Sequence, residues 1–423
     1  MSEERCPRLE GYAPLSEEQL RDPFPIYAEA RRRAPVFYDP ALGVWSVTRR
    51  DDILTVLRDT EAFSSEATFE MRRSRLPGAL AARWPESMWR PRVLVGTDPP
   101  EHTTLRKLMQ AAFTPRRVAA LEPFIRETCD ELIDGLAGRE SFDLLLEFAN
   151  PLPLRVITRI LGFGDDQAPR LRQWTEDRLV MMTPASDHDP GEPADAETIA
   201  RMERMLEVLE ETKALIDERR RQPRDDVITA LVEAADAGRV ELGDDDLAML
   251  SLELALAGND TTANLITHTV GYLLADRRQW EELLADRELI PAAVEEGLRR
   301  RGSSRGLFRR ASRDAEVGGV TIPAGDIVHV LYSAAGHDGA YFEDPERFDV
   351  HRANAKDHIA FGRWTHFCLG APLARLETRV ALEALLDRLP DLHEVPDQVP
   401  RYAPTLSTHT LLSFQVRTLP LPG

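Results

Sequence analysis

Along most of this chain, apolar residues recur at the three- and four-residue spacing of amphipathic helices. The pattern predicts helices over 24–34, 51–62, 101–113, 115–137 with a break at Pro123, 153–162, 165–183, 193–220, 223–238, 244–275, 277–285 and 290–301. A last helix is predicted from near Cys368 to about Leu389. Strand signals are fewer. Val36–Tyr38 and Val44–Val47 predict a strand pair across a turn, strand character returns over 315–331, and the tail around Leu411–Leu419 predicts a hairpin. From about 62 to Pro100 the chain carries Pro77, Pro85, Pro91 and Pro99 without periodicity, and 183–193 reads as a turn. The class expected is mainly α with small β-sheets. With no Gly/Ser-rich or Pro-rich linker and no internal repeat, 1–423 reads as a single domain.

Composition sharpens this picture at a few points. A formal net charge of −19 argues against nucleic acid or an anionic membrane as the main partner. No apolar run reaches the ~18 residues of a membrane span, and the N-terminus MSEERCPRLEGY lacks a basic-plus-apolar leader. A cytoplasmic, monomeric protein is expected. Cys6, Cys129 and Cys368 are too few and too scattered for a disulfide framework. Arginine is unusually local, with seven between 299 and 313.

Four constellations carry candidate chemistry. In the first, Phe361-Gly-Arg-Trp-Thr-His-Phe-Cys368-Leu-Gly370 precedes apolar Leu369, Leu373, Leu376 and Val380 at helical spacing, so Cys368 falls at a helix start. Free amides and the positive dipole end there favour a thiolate, a soft ligand suited to iron. The plain alternative is an inert buried cysteine. In the second, Ala257, Gly258, Asn259, Asp260, Thr261 and Thr262 lie mid-helix, where Gly and β-branched or acidic residues are poor formers. Gly258 would let a flat group approach the backbone, Thr261 would bond the carbonyl four residues back, and Asp260 would relay protons. The alternative is a kinked core helix with a solvated acid. Third, Glu296 and Arg299 are i,i+3 on one helix and read by themselves as an ordinary ion pair. Fourth, His102 and Arg106 are i,i+4, a spacing able to hold a carboxylate, or else a solvated basic face. His268 reads as a core or rim histidine, and no cluster has metal-site spacing.

Together, in this order, these motifs resemble the cytochrome P450 family, soluble and bacterial in type, over nearly the whole chain. The family's cysteine signature falls on Phe361, His366, Cys368 and Gly370, with one departure: Trp364 stands where the family has glycine. The resemblance implies a haem b (iron protoporphyrin IX) between the long central helix and the cysteine-loop helix. In it, Cys368 is the axial ligand, Phe361 shields the sulfur, and His102, Arg106, Arg309 and His366 contact propionates. It further implies that Ala257 and Gly258 line the haem and that Asp260 and Thr261 deliver protons during dioxygen activation. Glu296, Arg299 and Arg347 become a structural triad supporting the cysteine loop.

The activity implied is a monooxygenase placing one atom of O2 in a small organic substrate, by hydroxylation, epoxidation or oxidative dealkylation. Electrons would come from a separate ferredoxin with its reductase, docked on a basic patch of Lys107, Arg116, Arg117, Arg363 and Arg375. The rival readings are a peroxide-driven or rearranging enzyme and a non-catalytic haem sensor. For the pocket, Glu253 one helical stretch before Thr261, and Ser303-Ser304 in place of the family's Pro-Val, predict unusual polarity. Glu253 or Ser304 would then bind a polar or cationic substrate group, with Met71, Leu307 and Phe308 as apolar walls. The alternative sends Glu253 to a buried water or a neighbouring arginine.

Overall fold

The apolar periodicity resolves into helices whose ends are set by prolines and side-chain caps. In the computed structural model, which describes residues 6–66, 76–110, 113–181 and 194–418, the first predicted amphipathic helix spans Phe24–Arg33 with proline in its first turn. The stretch 115–137 divides into Pro115–Ala120 and Glu122–Asp134, and Pro123 opens the second helix instead of kinking one. Asp195 caps Ala196–Arg221 and Asp226 caps Val227–Asp236, each carboxylate accepting the N–H three residues on. The longest helix, Asp244–Ala275, has three aspartates in its first turn, where the dipole favours them. The predicted turn at 183–193 and the pocket residue Met71 lie outside the described residues.

The chain divides into two compact units. One comprises Met1–Phe63, Pro115–Pro153 and Asn259–Gly423. The strands are β1 (Val36–Asp39), β2 (Val44–Val47), β3 (Phe63–Ser64), β4 (Ser141–Asp143), β5 (Leu307–Ala311), β6 (Ala315–Val317), β7 (Val320–Ile322), β8 (Ile327–Val330), β9 (His393–Glu394) and β10 (Gln415–Arg417). The largest sheet has the order β1-β2-β8-β5-β3, with β2 and β8 parallel and β5 antiparallel to β8 from Leu307 opposite Val330 onward. Val36, Trp45, Val47, Ile53, Val328 and Val330 form its buried core. The run 315–331 thus divides into the β6–β7 hairpin and β8, while β5, carrying Arg309-Arg310, gave no alternating signal. The tail also departs from expectation. Among the described residues β10 pairs with β4 and β9, and an isolated bridge, Tyr402 opposite Leu411, joins the preceding segment to itself. A strand that finds partners far away in sequence leaves no local hairpin pattern.

The other unit comprises Ser64–Thr114 and Leu154–Gly258. Its proline-rich stretch is less irregular than expected, holding the one-turn helices Gly78–Ala81 and Glu86–Trp89. Helices Glu101–Gln110, Ala168–Met181, Ala196–Arg221 and Val227–Asp236 belong here with the first half of the long helix. Among the described residues no helix is long and apolar enough to cross a membrane.

Candidate active site

The cysteine loop owes its shape to two residues with left-handed backbone. Gly362 (φ +68°) and Trp364 (φ +51°) flank Arg363, and only the first is a residue for which that region is strain-free. The loop closes when the Cys368 amide donates to the Phe361 carbonyl at 2.8 Å and that of Phe367 to the Trp364 carbonyl at 3.1 Å. Trp364 points outward, 44% exposed, with the Arg58 guanidinium 4.8 Å over its ring. The helix after the loop starts at Ala371, three residues later than Cys368, with Gly370 as N-cap and proline in its first turn. Every residue from Thr365 to Gly370 is half-buried, so Cys368 is presented and not sunk in the core. Cys129 is the inert cysteine by contrast: burial pushes its thiol up to about 12.

Long-helix burial separates one face from the rest. Residues 262–270 are all buried, yet Leu254, Gly258 and Thr261 are half-exposed and Ala257 is exposed. Their spacing of three and four puts them in one stripe. Small residues on an open stripe suit a flat group, and in the first unit a presented thiol and the buried Arg309 cation (1% exposed) suit an iron-containing, anionic one, properties that haem combines. Gly258 itself has a second use, since a Cβ there would lie 2.9 Å from Ile157 Cγ1. Its missing side chain therefore serves helix packing, a reason the sequence reading did not contain.

Asp260 is buried, and its partners among the described residues are polar and uncharged. Thr410 Oγ1 donates to Oδ2 at 2.9 Å, and Asn264 Nδ2 donates to the Asp260 carbonyl at 2.8 Å. Burial raises the carboxyl to about 6, with the Thr410 and Asn264 hydrogen bonds opposing it. Next to it, Ser303 Oγ donates to the Thr261 carbonyl. Thr410 was not anticipated; the hydroxyl-rich run Thr405-Leu-Ser-Thr-His-Thr410 was its only trace in the sequence.

The triad needs one correction. Glu296 and Arg299, with fully buried side chains, pair at 2.7 and 2.8 Å. The third member is Arg352, whose Nε donates to Glu296 Oε1 at 3.1 Å. Arg347 lends only its carbonyl, to Arg299 and Arg352, while its own side chain is 54% exposed and 3.8 Å from Asp349. Both arginines follow Pro345, and spacing alone did not distinguish the one that the chain turns inward.

Glu253 is also reassigned. Its Oε1 accepts from Arg178 Nε at 2.7 Å, the two side chains being 7% and 0% exposed. The arginine alternative therefore holds, because a buried carboxylate is stable only when paired. Ser304 stands in an isolated bridge with Thr408, and Leu307 is half-buried in β5 opposite Val330. In the second unit, His102 is buried and Arg106 half-buried on the face of Glu101–Gln110 that the spacing predicts. Asp98 sets the entry to that helix, accepting from Ser64 Oγ at 2.5 Å and from the Ser65 amide at 2.9 Å. Of the basic patch, Arg375 is committed to Glu295 at 2.5 and 3.0 Å, whereas Arg116 is exposed.

Comparison with known proteins agrees with this geometry. A sequence model of the family described as Cytochrome P450 matches residues 76–402. The erythromycin C-12 hydroxylase of Saccharopolyspora erythraea is 39% identical over 85% of each chain. The cytochrome P450 monooxygenase PikC of Streptomyces venezuelae is 37% identical over 89% of this chain and 86% of its own. Among solved structures, cytochrome P450 CREJ in complex with (4-ethylphenyl) dihydrogen phosphate superimposes with a TM-score of 0.87 at 34% identity, covering 97% of this chain and 99% of that one. With a presented cysteine, an open small-residue stripe on its longest helix and these relatives, the chain belongs to the cytochrome P450 family of haem-iron monooxygenases.

Proposed function

We propose that this enzyme binds haem b through Cys368 and inserts one atom of O2 into a small organic substrate, reducing the other to water with electrons from a separate ferredoxin. The observation that carries the reading is the cysteine loop. It holds Cys368 half-buried, three residues ahead of a helix N-terminus whose dipole favours a thiolate. The bound haem iron supplies the dioxygen activation; the chain supplies the rest. Phe361 and Gly370 frame the thiolate, and His102, Arg106, Arg309 and His366 neutralise the propionates. Ala257 and Gly258 give the macrocycle room. Asp260, pushed up to about 6 by burial, exchanges its proton much nearer neutral pH than an ordinary carboxyl and passes it on through Thr261.

Leu307 and Ser304 remain as pocket lining, and the Glu253 charge does not, being neutralised by Arg178. The relatives bear on substrate choice only loosely, since erythromycin and (4-ethylphenyl) dihydrogen phosphate are unlike molecules. Hydroxylation of a small secondary metabolite is the reaction we favour, in a monomeric cytoplasmic enzyme. The test is turnover with ferredoxin, its reductase and isotopically labelled dioxygen. One labelled atom in the product per reduced nicotinamide consumed supports the reading. Product that carries no label, or that forms only when peroxide is added, overturns it.

A further inference from the structure

The buried acid on the long helix is connected beyond its own neighbourhood. Asp260 Oδ2 accepts from Thr410 Oγ1 at 2.9 Å, and Thr410 Oγ1 lies 2.8 Å from Thr408 Oγ1. Asp260 and Thr410 are each 8% exposed, whereas Thr408 is half-buried, so the row runs from a buried acid to a partly accessible hydroxyl. Asn264 clamps this arrangement. Its Nδ2 donates to the Asp260 carbonyl and its Oδ1 accepts the Leu411 amide, both at 2.8 Å, which ties the Thr408–Leu411 segment to the helix. Among the described residues, burial, Thr410 and Asn264 account for the shift of Asp260. The titratable neighbour in the segment, His409, is itself buried and held well below its ordinary value, chiefly by burial, so it stays neutral and is no rival donor.

A hydroxyl donates one hydrogen bond and accepts others, so two in series pass a proton without net change. A proton arriving at Thr408 Oγ displaces that group's own proton to Thr410 Oγ1. The proton of Thr410 then moves to Asp260 Oδ2, and both hydroxyls are regenerated. We propose that Thr408 and Thr410 form the route by which Asp260 is reprotonated from solvent. The proposal rests on the reading of Asp260 as the proton-delivering acid. It makes Thr410 and Thr408 positioning residues that act through that acid.

The experiment compares Asp260→Asn, Thr410→Val, Thr410→Ser and Thr408→Val in the haem-loaded protein, with retained haem content as the folding control. Two readouts are needed: the infrared carboxyl band of Asp260, identified by its loss in Asp260→Asn, and the share of electrons recovered as hydrogen peroxide during turnover. Thr410 favours the ionised acid, so Thr410→Val is expected to raise the band's titration midpoint by about one pH unit and to increase peroxide several-fold. Thr410→Ser restores both. Thr408→Val, which does not touch Asp260, leaves the midpoint in place and still increases peroxide, an effect that a purely anchoring role would not produce. If Asp260→Asn diverts electrons to peroxide while Thr410→Val and Thr408→Val do not, the route is wrong and the acid's role stands. If Asp260→Asn stays fully coupled, the acid's role fails and the route with it.

Discussion

At the scale of single residues, Trp364 shows how an unfavourable choice is accommodated. A left-handed backbone costs a non-glycine residue about 1–2 kcal/mol, and φ there is +51°. Against this stand the exposed Arg58 contact, worth roughly 0.5–1 kcal/mol, and a less flexible unfolded chain than glycine would give, worth roughly 0.4–1 kcal/mol. The terms nearly cancel, so Trp364→Gly is expected to shift stability by less than ~1 kcal/mol in urea unfolding, while Trp364→Val, β-branched at positive φ, destabilises clearly. Asp260 offers a second check. Its folded value of about 6 exceeds the ordinary 3.8, so the native state binds the extra proton and loses stability as pH rises through about 6. Asp260→Asn should be the more stable protein at about pH 8 by up to ~3 kcal/mol, the gap closing towards pH 4. A gap that widens on acidification contradicts the assignment. The sequence pointed to this acid and to Cys368 because local context marks both. It did not reveal Thr410 or Arg178, whose importance lies in partners 150 and 75 positions away.

Among the elements, helix periodicity was the most legible signal, and the long helix runs over Asp244–Ala275 as its pattern predicts. Turn-rich and strand segments were less so, because their pairing is non-local: β10 answers to β4 and β9. The arginine-rich stretch 299–313, legible in the sequence only as a local concentration of charge, is largely interior. Arg299 is wrapped by carbonyls of Gly336, Pro345 and Arg347, Arg301 reaches Tyr402 and the Arg21 carbonyl, and Arg305 bonds carbonyls of Pro14 and Thr405. Rigid guanidinium forks thus tie loops that have no regular hydrogen bonding of their own. Arg352→Ala, which leaves Glu296 short of a partner, should cost about 3 kcal/mol and lower haem retention on heating. Arg347→Ala should cost under ~0.5 kcal/mol. Equal effects of the two would restore Arg347 to the triad.

For the whole molecule, the acidic balance of −19 keeps the surface repulsive to other acidic proteins except where cations gather. Arg116 opens Pro115–Ala120, a helix packed on Ala371–Arg388, which follows the cysteine loop. An acidic electron carrier is expected to use it, so Arg116→Glu should slow the first reduction several-fold at low ionic strength, the difference shrinking as salt screens it. Salt-independent reduction by the variant and its parent alike would remove Arg116 from that surface. The central claim is simpler: Cys368 holds the iron as a thiolate. It is tested most directly by reducing the protein, adding carbon monoxide and recording the difference spectrum of the parent, Cys368→Ser, Cys129→Ser and Cys6→Ser. The account predicts a far-red-shifted Soret band that survives in the Cys129 and Cys6 variants and disappears in Cys368→Ser. A band at the ordinary histidine-type position in the parent, or one that persists without Cys368, contradicts it.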